Sequence, residues 1–597
     1  MLKIFLLFSR REWALIALSV GLIVFGVWLD LEIPTYLGRI TQIVTVPESE
    51  GTIGDVWRFG GIMLALAASS AMTAVAIAWI GAVVSSGHSA RMRKLVYEKV
   101  GDFSSAEIKN FSVASLITRS TNDVNQVRLF SAMAIQILIR APIIALWAIL
   151  RMTSTSWHLT LTTFVAVAAL VLVLTLLIII VMPRYNKIQT LTDKLNQVTR
   201  ENLSGIRVVR AFGAEDFEQE KFEKANEAYQ KNSLVVHSAM AIFWPFMSML
   251  ISILTVAIYW VGAWLMSGGT SGIPMESAEA GMYLGNMMVF SQYSIQIMFA
   301  FLMLLMILVM LPRTIVSGRR IREVLATDVS IKDGGDGVIA KPAEKNIKFS
   351  AVNFKYPDAE ENVLSDINLE IKAGQTVAFV GGTGCGKSTL VNLLPRIYDA
   401  TSGNVEIGGM SVKDMSLEEL NSIVGYVPQT AVLFNGTIKS NVAFGEVGGV
   451  EISDEMVEEA LKTAQAWEFV SKLEKGIEAE VAQAGKNLSG GQKQRIGIAR
   501  VLARKPQIII FDDTFSALDY QTDRKLRSAL KADTKGATVL IVAQRIGTIK
   551  DCDLIFVLDK GRIVGSGTHK ELLKSNTVYK EIAQSQLSKE ELAGGAK

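Results

Sequence analysis

Apolar residues fall along this chain in two regimes. Up to about residue 312 they come in long runs, at roughly 13–33, 58–84, 132–152, 158–182, 240–266 and 282–311. Each run meets the ~20 residues that a helix needs to cross a bilayer. Beyond that point the pattern changes to short apolar strands alternating with amphipathic helices, the signature of a soluble α/β layer structure. The two parts are therefore expected to fold in different solvents.

Six spans return both ends to one side. The N-terminus and the segments 87–129 and 184–231 are basic, whereas no Lys or Arg stands between Lys231 and Arg313. That asymmetry places both termini and both long loops in the cytoplasm of a multi-pass plasma-membrane protein. Lys3, Arg10 and Arg11 ahead of Trp13 imitate a signal peptide, but the apolar run continues past Leu29 without a small-residue cleavage site. A retained first helix is predicted. The two long loops are charged and amphipathic, so the helices should continue far beyond the bilayer.

Within the spans, polar residues are the informative ones. Arg140 beside Pro142 would cost about 3 kcal/mol or more in lipid, so it should face a cavity or a partner, with a carboxylate inside the bundle as the structural alternative. The sixth span mixes Met282, Met287, Met288, Met298, Met303, Met306 and Met310 with Asn286, Gln292, Tyr293 and Gln296. Methionine surfaces repack around differently shaped apolar ligands. Arg140, Asn286, Gln292 and Gln296 are the candidates for a substrate cavity that takes an amphipathic small molecule; ordinary packing is the alternative for the methionines.

Composition narrows the classes. A length of 597 residues exceeds one hydrophobic core. A net charge of +3 without a basic stripe excludes nucleic acid as a partner. Cys385 and Cys552 both lie in the soluble part, which suits free thiols in a reducing compartment.

The soluble part carries Gly381-Gly382-Thr383-Gly384-Cys385-Gly386-Lys387-Ser388-Thr389 between the strand-like Thr376–Val380 and a helix-like run from Leu390. This is the setting of a phosphate loop: glycines let backbone N–H groups wrap phosphates, Lys387 supplies a point charge, and the Ser388 hydroxyl reaches Mg²⁺. A second apolar strand, Ile508-Ile-Ile-Phe-Asp512-Asp513, brings the Asp512 carboxylate beside that metal. ATP and Mg²⁺ are the expected cofactors.

Leu488-Ser489-Gly490-Gly491-Gln492 stands between these elements, and with it the chain resembles the ATP-binding cassette (ABC) exporters along nearly its whole length. The resemblance implies an all-α six-helix transmembrane domain (1–325), a linker (326–345), an α/β P-loop nucleotide-binding domain of the ABC ATPase type (346–585) and a polar tail (586–597). It also implies that Tyr356 stacks on adenine, that Gln429 is the Q-loop glutamine that reaches the metal, and that Ser516–Asp519 is the D-loop ending in Asp519. Gln544 takes the switch-histidine position. Ser115–Val124 and Glu201–Phe212 resemble the two intracellular loops of exporters, with coupling helices expected near 106–115 and 212–218. In that family two cassettes face head-to-tail, so a second half-transporter is implied.

Two positions depart from the family. The catalytic glutamate after Asp512 is replaced by Asp513, one methylene shorter, and the switch histidine by Gln544, whose amide cannot reproduce imidazole proton chemistry. Both weaken the site on this chain's own phosphate loop, while its signature stays intact for the opposite site. The segment Ala479–Gly485 also departs from the usual Gly-Glu-Arg-Gly run. The expectation is the degenerate-site half of a heterodimeric bacterial multidrug exporter working by alternating access, an ATP hydrolase whose own site turns over slowly. The alternatives are a homodimeric lipid, haem or peptide exporter, or a regulatory subunit that hydrolyses little.

Overall fold

The computed structural model describes residues 8–45, 51–154, 156–268, 275–334, 345–445 and 451–587. Lys3, half of the expected linker and nearly all of the expected tail lie outside the described residues. The chain divides into two compact units, Met1–Lys99 with Ala114–Ala326, and Val100–Val113 with Thr327–Lys597.

The first unit contains six helices long and apolar enough to cross a membrane. They are α1 (Arg10–Thr45), α2 (Ile53–Gly101), α4 (Val113–Thr153), α5 (Trp157–Phe212), α6 (Glu215–Met266) and α7 (Ser277–Ala326). Each of the six apolar runs falls inside one of them. Their shared core is built from Ile23 and Val27 of α1, Ala148 and Met152 of α4, Leu254 and Ile258 of α6, and Phe290 and Ile297 of α7. At 1.5 Å per residue, α5 and α6 each extend about 80 Å, well over twice the hydrocarbon thickness. They are joined by a tight turn rather than a separate short helix: Gly213 takes the left-handed conformation (φ 60°) and the Ala214 N–H closes onto the Val209 carbonyl at 3.0 Å. A coupling helix over 212–218 is thus replaced by a helix–turn–helix tip, on which Phe212 is 82% exposed.

α4 is interrupted by π-helical turns at Arg119–Asp123 and Ala134–Leu138. At the first of these, Arg119 pairs with Glu323 at 2.7 Å and donates to the Arg320 carbonyl, while Ser317 donates to Asp123 at 2.7 Å. Polar contacts therefore tie α4 to α7 beyond their apolar stretches.

In the second unit, α3 (Ser105–Phe111) is a short helix closed by a capping box, in which the Ala106 N–H reaches Ser104 and the Ser104 N–H reaches Glu107. It stands where the first coupling helix was expected. Four antiparallel strands in the order β2-β1-β4-β5 are β1 (Ile347–Phe354), β2 (Leu364–Ile371), β4 (Ser402–Ile407) and β5 (Met410–Ser411). A second sheet runs β12-β11-β3-β10-β9-β6, from β3 (Thr376–Gly381), β6 (Val424–Val427), β9 (Ile508–Asp512), β10 (Thr538–Val542), β11 (Leu554–Asp559) and β12 (Arg562–Gly567). The short pair β7 (Gly436–Thr437) and β8 (Glu480–Val481) stands apart. Alternation decides the layering: Val377, Phe379, Ile508 and Ile510 face the antiparallel sheet, while Ala378, Val380, Ile509 and Phe511 face the helices. Apolar layers on both faces explain why these parallel strands read as unbroken apolar runs.

Candidate nucleotide site

The parallel strands β3, β9 and β6 end together, and their C-terminal ends carry the polar groups of the site. From β3 the chain enters the phosphate loop and then α8 (Lys387–Asn392). Gly386 shows why the loop needs glycine: its φ is 98°, and a Cβ there would lie 2.7 Å from the Leu364 side chain. Lys387 is buried, and its ammonium donates to the Gly381 and Gly382 carbonyls at 2.9 and 2.8 Å. The side chain is thus folded back over the loop that it serves.

The Ser388 hydroxyl donates to one oxygen of Asp512 at 2.7 Å, and the Tyr426 hydroxyl donates to the other at 3.1 Å. Burial, and then the Asp512 charge, raises the Tyr426 hydroxyl above the ordinary phenol range, so it remains a donor. These oxygens suit a hard divalent cation. Mg²⁺ accepts hydroxyl and carboxylate oxygens, needs few protein ligands, and has adjacent ligand oxygens about 2.9 Å apart. Ser388 and Asp512 would hold it, while the Gln429 amide, also expected to reach the metal, donates to Asp513 at 3.2 Å.

Asp513 follows Asp512 in the left-handed conformation (φ 47°), which Asp tolerates better than most residues. Its Oδ2 accepts from Gln544 at 2.9 Å and from Gln429 at 3.2 Å. Burial first, and then the neighbouring Asp512 charge, pushes the Asp513 carboxyl up, opposed by the two amides and Lys387. The structure therefore joins the two departures from the family pattern in one hydrogen bond. Tyr356 lies near the loop, with its hydroxyl 3.0 Å from that of Thr389 and its ring packed edgewise with Phe354 and Tyr398.

The signature opens α9 (Gly490–Leu502), where Ser489 and Gln492 form a capping box and Leu488 packs on the core. Among the described residues, no hydrogen bond joins 488–492 to the phosphate loop. Asp519 caps α10 (Tyr520–Asp533) by accepting from Thr522 at 2.9 Å, which lowers its pKa. In the atypical run before the signature, Ala484 takes φ 56°, and its carbonyl accepts from Lys493 at 3.0 Å.

Two contributors were not foreseen from the sequence. Tyr426 is one; its signal is a polar tip near the end of an apolar strand. Gln586 is the other, donating to the Gln544 carbonyl at 2.7 Å and accepting from the Ile546 N–H at 2.8 Å. It is the last residue of the helix Thr577–Gln586 rather than the first of a free tail. Replacing Tyr426→Phe leaves one oxygen of a buried carboxylate without its donor, so the Mg²⁺ concentration for half-maximal nucleotide binding should rise about 2- to 10-fold. A magnesium titration at fixed ATP checks this.

In the first unit two of the four cavity candidates, Arg140 and Gln296, both reach Asp30. Arg140 forms an ion pair with Asp30 at 2.6 Å, and Ser70 donates to the same carboxylate. That is the structural alternative named for it. Gln296 reaches the Asp30 carbonyl at 3.5 Å, and its buried Oε1 has no partner. Gln292 is exposed and Asn286 half-buried. A parallel pair joins Glu32 to Arg151 at 2.6 Å.

Residues 16–311 match the model described as ABC transporter transmembrane region, and residues 364–516 the model described as ABC transporter. A Mycobacterium tuberculosis protein described as an uncharacterized ABC transporter ATP-binding protein is 35% identical over 91% of this chain and 92% of its own length. Bacillus subtilis YfiB, described in the same words, is 33% identical over 90% of each chain. An ATP-dependent lipid A-core flippase from Hahella chejuensis is 32% identical over 80% of this chain and 79% of its own. The solved structure of a bacterial Atm1-family ABC exporter with ATP bound shares the fold at a TM-score of 0.76 and 23% identity, covering 97% of this chain and 99% of that one.

Proposed function

Because the chain belongs to the ABC transporter family, with a membrane region and an ATP-binding cassette fused as in exporters, we propose that it is the degenerate-site half of a heterodimeric efflux pump for amphipathic compounds. Its cassette and long loops lie in the cytoplasm. The observation that carries the asymmetry is the Asp513 carboxylate, short by one methylene and held on one oxygen by both Gln429 and Gln544. A retreat of about 1 Å from the attacking water costs on the order of 100-fold in rate. The intact, capped signature supports service in the opposite site.

Each chain residue has a defined task in this reading. Loop N–H groups and Lys387 bind the phosphates, Tyr356 takes the base, and Ser388 with Asp512 orient the metal. Bound Mg²⁺ supplies charge neutralisation at the β- and γ-phosphates. Gln544 donates toward the γ-phosphate instead of accepting a proton. ATP binding closes the two cassettes, and the exposed Phe212 tip and α3 pass that movement to the spans.

Identity to the lipid A-core flippase favours lipid as the second cargo class. The test is transport in vesicles that contain this chain with a non-identical half-transporter, or this chain alone, loaded with an amphipathic dye or a fluorescent lipid. Dye movement only with the second subunit supports the proposal. Equal movement by the chain alone establishes the homodimer, and movement of lipid but not dye establishes the lipid class.

A further inference from the structure

Lys109 is absorbed by none of the roles above, yet its position is specific. It is the fifth residue of α3, and its ammonium stands 5.6 Å from the centre of the Tyr356 ring, within cation–π range. Both residues belong to the same compact unit. The helix that carries Lys109 is anchored twice. Glu107 accepts from the Ser104 N–H at 2.7 Å and from the Ser330 N–H at 3.2 Å, and the Ser104 and Ser330 hydroxyls lie 3.0 Å apart. The Tyr398 ring also packs against Tyr356. Tyr356 itself is fixed through its hydroxyl on Thr389. The ammonium thus sits over a ring that is held still, on a helix that is held still.

We propose that Lys109 competes with the nucleotide base for the face of Tyr356, so that base stacking displaces the ammonium and reports occupancy to the first cytoplasmic loop. The inference rests on the reading of Tyr356 as the base platform. A stacked base lies about 3.5 Å from the ring, which leaves no room for a cation over the same face. Only a nucleotide, and not its polyphosphate alone, makes this exchange. The loop is therefore sensitive to the base end of the ligand, while the phosphate loop is sensitive to the other end.

The test uses the full-length heterodimer in nanodiscs, with the partner's phosphate-loop lysine replaced so that only this site titrates. Binding of Mg·ATP and of magnesium tripolyphosphate is measured side by side. Lys109→Met should tighten ATP about 2- to 5-fold relative to tripolyphosphate, and Lys109→Arg should behave as the native chain. The tripolyphosphate arm removes the general effect of deleting a positive charge near phosphate. Tyr356→Ala should lower the ATP-to-tripolyphosphate affinity ratio about 5-fold or more, and adding Lys109→Met to it should not change that ratio further. An unchanged or lowered ATP-to-tripolyphosphate ratio in Lys109→Met, with Tyr356→Ala still harmful to ATP, overturns the competition alone. ATP binding unaffected by Tyr356→Ala overturns the platform reading and the competition with it.

Discussion

Lys387→Ala should weaken ATP binding at this chain's site by about 10- to 100-fold while leaving the cassette folded. The ammonium is a charge-assisted donor, and losing such a contact to a phosphate costs about 1.5–3 kcal/mol. Its bonds to the Gly381 and Gly382 carbonyls show that the lysine also braces the loop before ligand arrives. Removal leaves two carbonyls with fewer donors in a tight turn where Gly384 and Gly386 adopt left-handed angles. Binding rather than hydrolysis is the proper readout, because under the proposed function this site turns over slowly and acts through occupancy. Titration with a fluorescent nucleotide analogue, with the partner's site inactivated, measures it. Unchanged occupancy would remove Lys387, and with it the phosphate-loop assignment, from the account.

Much of this architecture was legible because two signals are nearly free of context. Unbroken apolar runs of twenty residues have few fates other than a membrane span, and the six runs lie within the six long helices. A glycine-rich loop between an apolar strand and a helix has few fates other than binding phosphate. Helix ends were less legible. The tip at 212–218 carries the polar, helix-favouring residues of a short helix, but Gly213 alone reverses the chain there. The polar residues of the spans were legible as a set but not in their partners. Nothing local to Arg140 points to Asp30, which lies 110 positions away. Tyr426 and Gln586 were missed for the same reason: each acts through a contact made by tertiary structure, and each looks ordinary within its own segment. Asp513 and Gln544 stood out singly against a family pattern, yet only the fold joins them in one hydrogen bond.

The second large effect expected from the proposed function is an asymmetry between the two composite ATP sites. Asp513 is short, buried and already engaged by two amides, whereas the signature is ordered by the Ser489–Gln492 capping box at the start of α9. General-base assistance contributes about 10²–10⁴-fold where it operates. Loss of the carboxylate from the working site should therefore nearly abolish turnover, and loss of Asp513 should not. The deciding measurement is the steady-state ATPase rate of purified heterodimers in lipid, comparing Asp513→Asn with the amide variant of the partner's carboxylate. Asp513→Asn should keep more than about half of the native rate while the partner variant falls at least about 100-fold; elimination of turnover by Asp513→Asn alone would contradict the proposed asymmetry.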